Sequence, residues 1–302
     1  MNTQVNAVPE SPLGSQAVAA VLSETRPLYW SIRRELWENR SIYIAPLAVA
    51  AVTLFGYLIA SIGYAVSTNN LAQRRAALEE PYNFATALIM GTAFVVSIFY
   101  SLEALHSERR DRSILFWKSL PVSDLTTVLS KASIPLIVLP LLAFATVVAT
   151  VLIMLLLTTV VLMGGGVGVA TIWKPELYQM ALMLFYHLIT VHVLWYAPLY
   201  GWLLLVSAWA RRAAFLWAVL PPAALCAVEK IAFNTTHFAT MLQKRFEGGA
   251  EAVTAPGTLP MDPMTHLTPG HFISSPGLWI GLIIAAGFLA AAVRLRRCQG
   301  PI

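Results

Sequence analysis

The sequence predicts an all-α, polytopic membrane protein with about six transmembrane helices, an interfacial helix near its N-terminus and both termini cytoplasmic. Three observations carry that prediction. Hydrophobic residues make up 58% of the 302-residue chain and charged residues only 12%, where a soluble domain carries about 25%. Six long apolar segments divide the chain, four of them near the roughly 20 residues needed to cross a ~30 Å hydrocarbon core and two well beyond it. Lysine and arginine fall unevenly between the two sets of connecting loops.

Residues 1–25 are polar, small and proline-containing, which predicts a disordered tail ahead of a membrane domain over 26–302. No charged run there leads into a cleavable apolar core, so insertion is expected to fall to the first span. In segment 26–40, RPLYWSIRRELWENR, a helix would place Leu28, Ile32 and Leu36 on one side and Arg33, Arg34 and Glu38 largely elsewhere. That pattern predicts a helix lying in the membrane interface.

The spans are predicted at about 42–66, 83–105, 129–163, 177–209, 213–232 and 277–293. The third carries Pro135 and Pro140 near its start and the fourth contains Pro198. The fifth is expected to be interrupted at Pro221-Pro222, because proline removes a backbone donor. A helix as long as the fourth segment would reach roughly 50 Å, so spans three and four should protrude or bend. With the N-terminus inside, fourteen of the 20 lysines and arginines fall on inner segments and six outside, Arg74-Arg75 being the discordant pair.

The net charge of +5 acts through this placement and argues against a nucleic-acid partner. Cys226 and Cys298 offer neither a disulfide framework nor a CxxC metal site. The outer segment 67–82 reads as a short polar loop. Segment 164–176 opens Gly164-Gly165-Gly166-Val167-Gly168, yet no Gly-Lys-Ser/Thr follows; this is a flexible turn and no phosphate-binding loop. The longest outer loop, 233–276, combines a short helix over 238–246 with a stretch rich in proline and glycine.

Between spans two and three, residues 101–131 read SLEALHSERRDRSILFWKSLPVSDLTTVLSK. Glu108, Arg109, Arg110, Asp111 and Arg112 form a dense charged run. Ile114, Leu115, Phe116 and Trp117 follow, closed by Lys118 and by Pro121, which stops a helix. A free loop gains nothing by exposing Phe and Trp to water, so these rings should meet either the lipid interface or another protein. Aromatic anchors beside arginine suit the centre of a protein interface.

The string from Glu108 to Asp111, then Leu115-Phe116-Trp117-Lys118-Ser119-Leu120-Pro121-Val122-Ser123-Asp124, then Ser130-Lys131, resembles the first cytoplasmic loop of ABC-2-type exporter permeases. The close match covers about 30 residues, and the wider plan of interfacial helix, six spans and a large outer segment fits nearly the whole chain. The resemblance implies that loop 106–123 forms a coupling helix docking on a separate ATP-hydrolysing subunit. Glu108, Arg109, Arg110, Asp111, Leu115, Phe116, Trp117 and Lys118 would then be the docking residues. It further implies cytoplasmic ABC ATPase subunits as partners, a second permease chain, contact with membrane lipid, and a prokaryotic plasma (inner) membrane. ATP and Mg would sit on the partner, with no cofactor on this chain. In one departure, loop 233–276 lacks an aromatic or charge pattern assignable to a substrate.

Other ionisable residues have their own readings. Glu229 and Lys230, near the outer end of span five, are candidates for gating, since ionisable groups at membrane depth are costly and often functional. Glu103, at the inner end of span two, is expected to form an ion pair with a basic loop residue or to pass motion to the coupling helix. His187 and His192 are five residues apart, about 140° around an α-helix, so they should not share a face. His266 and His271 lie in the outer loop, and no metal site is expected. A serine elbow, an HExxH and a paired-carboxylate motif are all missing, so the chain is not expected to be an enzyme. A non-transporting membrane anchor or assembly subunit is the alternative reading.

Overall fold

The computed structural model describes residues 27–67, 71–119, 122–164, 176–246, 273–298 and 300. The expected tail over 1–25, most of the 164–176 turn and the part of the outer loop holding His266 and His271 lie outside these residues. What is described is helical, with short turns at the connections that are described. In chain order the helices are α1 (Pro27–Glu38), α2 (Ser41–Ser67), α3 (Leu71–Glu103), α4 (His106–Arg110), α5 (Ile114–Ser119), α6 (Asp124–Ser133), α7 (Leu139–Gly164), α8 (Glu176–His187), α9 (Ala197–Trp209), α10 (Ala214–Phe233), α11 (His237–Phe246) and α12 (Pro276–Cys298). Two π-helical stretches join α6 to α7 (Ile134–Val138) and continue α8 (Leu188–Trp195).

Among the described residues, five stretches are long and apolar enough to cross a membrane: Ser41–Ser61, Pro81–Arg110, Asp124–Val160, Ala214–Phe233 and Pro276–Cys298. Leu184–Trp195 and Ala197–Trp209, which meet at a 44° bend, make a sixth when taken together as one span. By composition and helix length this is an all-helical, multi-pass membrane protein. Helix α3 already begins at Leu71, so most of the segment expected to be a polar loop over 67–82 is helix instead.

Three spans, α2, α3 and α7, share a core built on Ile42, Ile89, Ala93, Leu139 and Ala143, to which Leu188 and Leu204 are added from the bent span. A hydroxyl cluster ties the same three helices near one end. Tyr82 Oη and Thr158 Oγ1 are 3.0 Å apart, the two tyrosine hydroxyls 3.3 Å apart, and Tyr57 also reaches Thr158. Helices α9 and α12 pack closely where Gly201 faces the Ala285 carbonyl; a methyl group there would come within 3.3 Å of that oxygen.

The prolines behave differently from the expectation at span five. Helix α10 runs through Pro221-Pro222 without a break. Pro222 has no N–H for the carbonyl four residues earlier, that of Ala218. The indole Nε1 of Trp202 donates to that carbonyl at 3.1 Å, which satisfies one of the two acceptors that the proline pair leaves open. Pro135 instead lies in the first π stretch, where bonding shifts to i→i+5, a common way to absorb an irregularity within a long helix.

The bend before α9 is braced by α11, the short helix foreseen near 238–246. Arg245 Nη1 donates to the Trp195 carbonyl and Nη2 to the Gly277 carbonyl, each at 3.2 Å. Its guanidinium also stacks on the Trp195 ring at 4.2 Å. Gly281 provides the room, because any side chain there would collide with Arg245.

Candidate functional site

Helix α4 begins where the second span ends, at the turn Ala104-Leu105. The N–H groups of Leu105 and His106, exposed by that break, both donate to Ser207 Oγ at 3.0 Å. Ser207 is fully buried on α9. His106 Nδ1 donates to the Ala210 carbonyl at 3.1 Å and Arg109 Nη1 to the Ala208 carbonyl at 2.6 Å. A cation and a ring N–H thus satisfy carbonyls left open at the C-terminus of α9, where positive charge is favoured.

Glu108 points the same way and joins a buried set of charges drawn from four helices. Its Oε1 lies 3.1 Å from Lys131 Nζ and 3.4 Å from Arg34 Nη2, and its Oε2 lies 3.2 Å from Arg296 Nη1. Lys131 also meets Glu35 Oε1 at 2.8 Å, and Glu35 Oε2 accepts from Tyr100 Oη at 2.8 Å. Arg296 Nε reaches Asp124 Oδ1 at 3.2 Å. Glu35, Lys131, Arg296 and Glu108 are only 2%, 2%, 4% and 5% exposed, and their two negative and two positive charges balance. Buried charges are tolerated only when paired and hydrogen-bonded this completely.

At its margin Arg34 is bonded to Glu38 at 2.8 Å. Burial acts to lower its pKa, but Glu38, Glu35 and Glu108 outweigh that and hold it above the usual arginine value. The same guanidinium lies 3.3 Å from the centre of the Trp117 ring, so α5 is fastened to α1 by a cation–π stack.

The eight residues expected at a docking surface therefore separate into two groups. Glu108 and Arg109 are buried inside this chain, and Trp117 is half-buried against Arg34. They hold the loop in place and are not its free face. The physical reason is that even a one-turn helix at a bundle end has an inner side, and a charged run does not reveal which of its members faces inward. Leu115 and Phe116 are each 59% exposed, beside exposed Arg110, Asp111 and Lys118. Arg110 links Glu103 at 3.5 Å to Asp111 at 3.2 Å, so Glu103 takes part in an exposed ion pair. Arg112, at φ 57° between α4 and α5, turns the chain in the left-handed region.

Comparison with protein families, with curated proteins and with solved structures returns no match.

Glu229 lies at the far end of α10 and is engaged locally. Its carboxylate accepts from Thr235 Oγ1 at 2.9 Å and from the N–H groups of His237 and Phe238 at 2.7 and 2.8 Å, capping α11. Lys230 is exposed beside it. His187 and His192, expected on different faces, have ring centroids only 6.1 Å apart. The helix between them is π-helical, and a turn that closes at i→i+5 brings residues five apart onto one side. Among the described residues no group of three or more His, Cys, Asp or Glu converges as a metal site.

Sequence reasoning did not single out Glu35, Lys131, Arg296 or Ser207 as site residues. A signal for the first three exists. Glu35 sits three residues after Ile32, Lys131 three after Val128, and Arg296 three after Val293, each on the buried stripe of its helix. Ionisable residues in register with a core face call for partners. Ser207 carries no comparable mark.

Proposed function

We propose that this chain is the membrane-spanning permease subunit of an ATP-driven exporter, worked by a separate cytoplasmic ATPase and paired with a second permease chain. The observation that carries the reading is α5: a short helix with Leu115 and Phe116 turned outward, mounted on α4, whose inner side is locked into buried charges. The likeness of residues 108–131 to the ABC-2 coupling loop gives that exposed pair its occupant, a groove on the ATPase. The charged end of the bundle is then cytoplasmic, α1 lies in the inner membrane interface, and ATP and Mg stay with the partner.

In this reading the partner's movement pushes on α5. Trp117 passes the load to α1 through Arg34, and Glu108 passes it to α6 through Lys131 and to α12 through Arg296. Packed helices respond by moving as bodies, since close-packed elements deform little. No nucleotide chemistry is required of this chain.

The test is co-purification from the native host, comparing wild type with Leu115→Ala/Phe116→Ala. An ATPase should accompany the wild type and be retained about tenfold less by the variant, because central apolar anchors carry most interface energy. Thermal unfolding of the chain should hardly change, as both side chains are exposed. Equal retention of an ATPase by the two proteins overturns the assignment of α5. A retained partner with no ATPase activity favours the anchor alternative.

A further inference from the structure

A cavity of about 580 Å³ lies between α1, α3 and the α4–α5 connection, within the roughly 300–1,000 Å³ typical of small-molecule sites. Its floor is the paired set of Glu35, Lys131 and Glu108. Its mouth is different. There Glu38, Glu103 and Asp111 have side chains 49%, 63% and 61% exposed. Arg110 is shared between Glu103 and Asp111, and Arg34 is divided among Glu38, Glu35 and Glu108. Three carboxylates thus share two guanidiniums, Arg110 serving Glu103 and Asp111 and Arg34 serving Glu38 along with the floor, so these pairs leave one negative charge in excess at the mouth. Of the aromatic lining, Trp117 already carries Arg34 and Tyr100 is buried on Glu35, while exposed Phe99 offers an open ring face to a cation.

The opening continues onto an apolar surface. Phe99 lines the cavity and is also 61% exposed, and Val95, one helical turn away on α3, is 49% exposed. A polar hole with acidic lips, joined to an apolar track along a membrane span, matches a molecule with a positive head and a hydrocarbon tail.

We propose that this cavity binds the ammonium head of an amphiphile, with its tail lying along Val95 and Phe99. The head chemistry is shared by an ethanolamine phospholipid of the surrounding membrane and by a dissolved organic cation. A head group that is only anionic brings no cation for these carboxylates to hold. The proposal stands independently of whether the chain moves a substrate.

The purified full chain in detergent is incubated with equal amounts of phosphatidylethanolamine and phosphatidylglycerol, and retained lipid is counted by native mass spectrometry. Phosphatidylethanolamine should be retained over phosphatidylglycerol. Glu103→Gln/Asp111→Asn should weaken that retention about tenfold, the scale of a lost charge-assisted contact. Both carboxylates are exposed, so unfolding temperature should hold. Phe99→Ala provides a second variant that leaves the acidic mouth intact. If Phe99→Ala also weakens retention and tetramethylammonium fails to displace the lipid, the ligand is the membrane lipid. If tetramethylammonium displaces it readily, the ligand is a soluble cation. Equal retention of phosphatidylglycerol, or wild-type retention of phosphatidylethanolamine by Glu103→Gln/Asp111→Asn, overturns the proposal.

Discussion

Helices α4 and α5 are separated by three residues, yet they use their side chains in opposite ways. Helix α4 turns a glutamate and an arginine into the protein, where Glu108 and Arg109 are 5% and 6% exposed. Helix α5 turns a leucine and a phenylalanine out, each at 59%. Hydropathy alone would place them the other way round. Apolar packing is non-directional, whereas a buried charge is stable only opposite particular partners. The charged helix is thereby held at one position relative to α1, α6, α9 and α12, while the apolar one remains available to something outside the chain.

The sharpest way to break this contrast is Lys131→Met, which removes the cation shared by Glu35 and Glu108 and leaves two carboxylates buried. Stability should fall by about 3–5 kcal/mol, read as a lowered unfolding temperature in detergent. A loss below about 1 kcal/mol would show that paired charge does not position α4. A smaller effect is expected for Ser207→Ala, which strips the acceptor from the Leu105 and His106 N–H groups. About 2 kcal/mol is the expected cost of burying such unmatched donors, and amide exchange at residues 105 and 106 should quicken. Smallest is Trp117→Ala. Loss of the Arg34 stack should cost about 1 kcal/mol and loosen α5 from α1, which a spin-label pair on the two helices would report as a broadened distance.

Much of the fold was legible because long apolar runs have few alternatives. The spans through α2, α3, α7, α10 and α12, the short helix α11 and the proline-bearing bend before α9 all follow from run length and residue type. What escaped depended on distant partners. Pro221-Pro222 looked like a break because the rescue of the Ala218 carbonyl comes from Trp202 on a different helix. His187 and His192 looked divergent because no residue type marks a π turn. Within the site, the charged and aromatic residues of 108–118 stood out by composition, but their inward or outward sense did not. That sense is set by Ser207, Lys131 and Arg296, which lie roughly 20 to 190 positions further along the chain.

The bond between Glu108 and Arg296 spans 188 residues, and this has a consequence for biosynthesis. At about 5–20 residues per second, a ribosome needs roughly ten to forty seconds to deliver the arginine after the glutamate. During that interval the nascent chain already holds α4 and Lys131, but one carboxylate oxygen still awaits its counter-charge. The corner that fastens α4 is therefore closed only when α12 arrives.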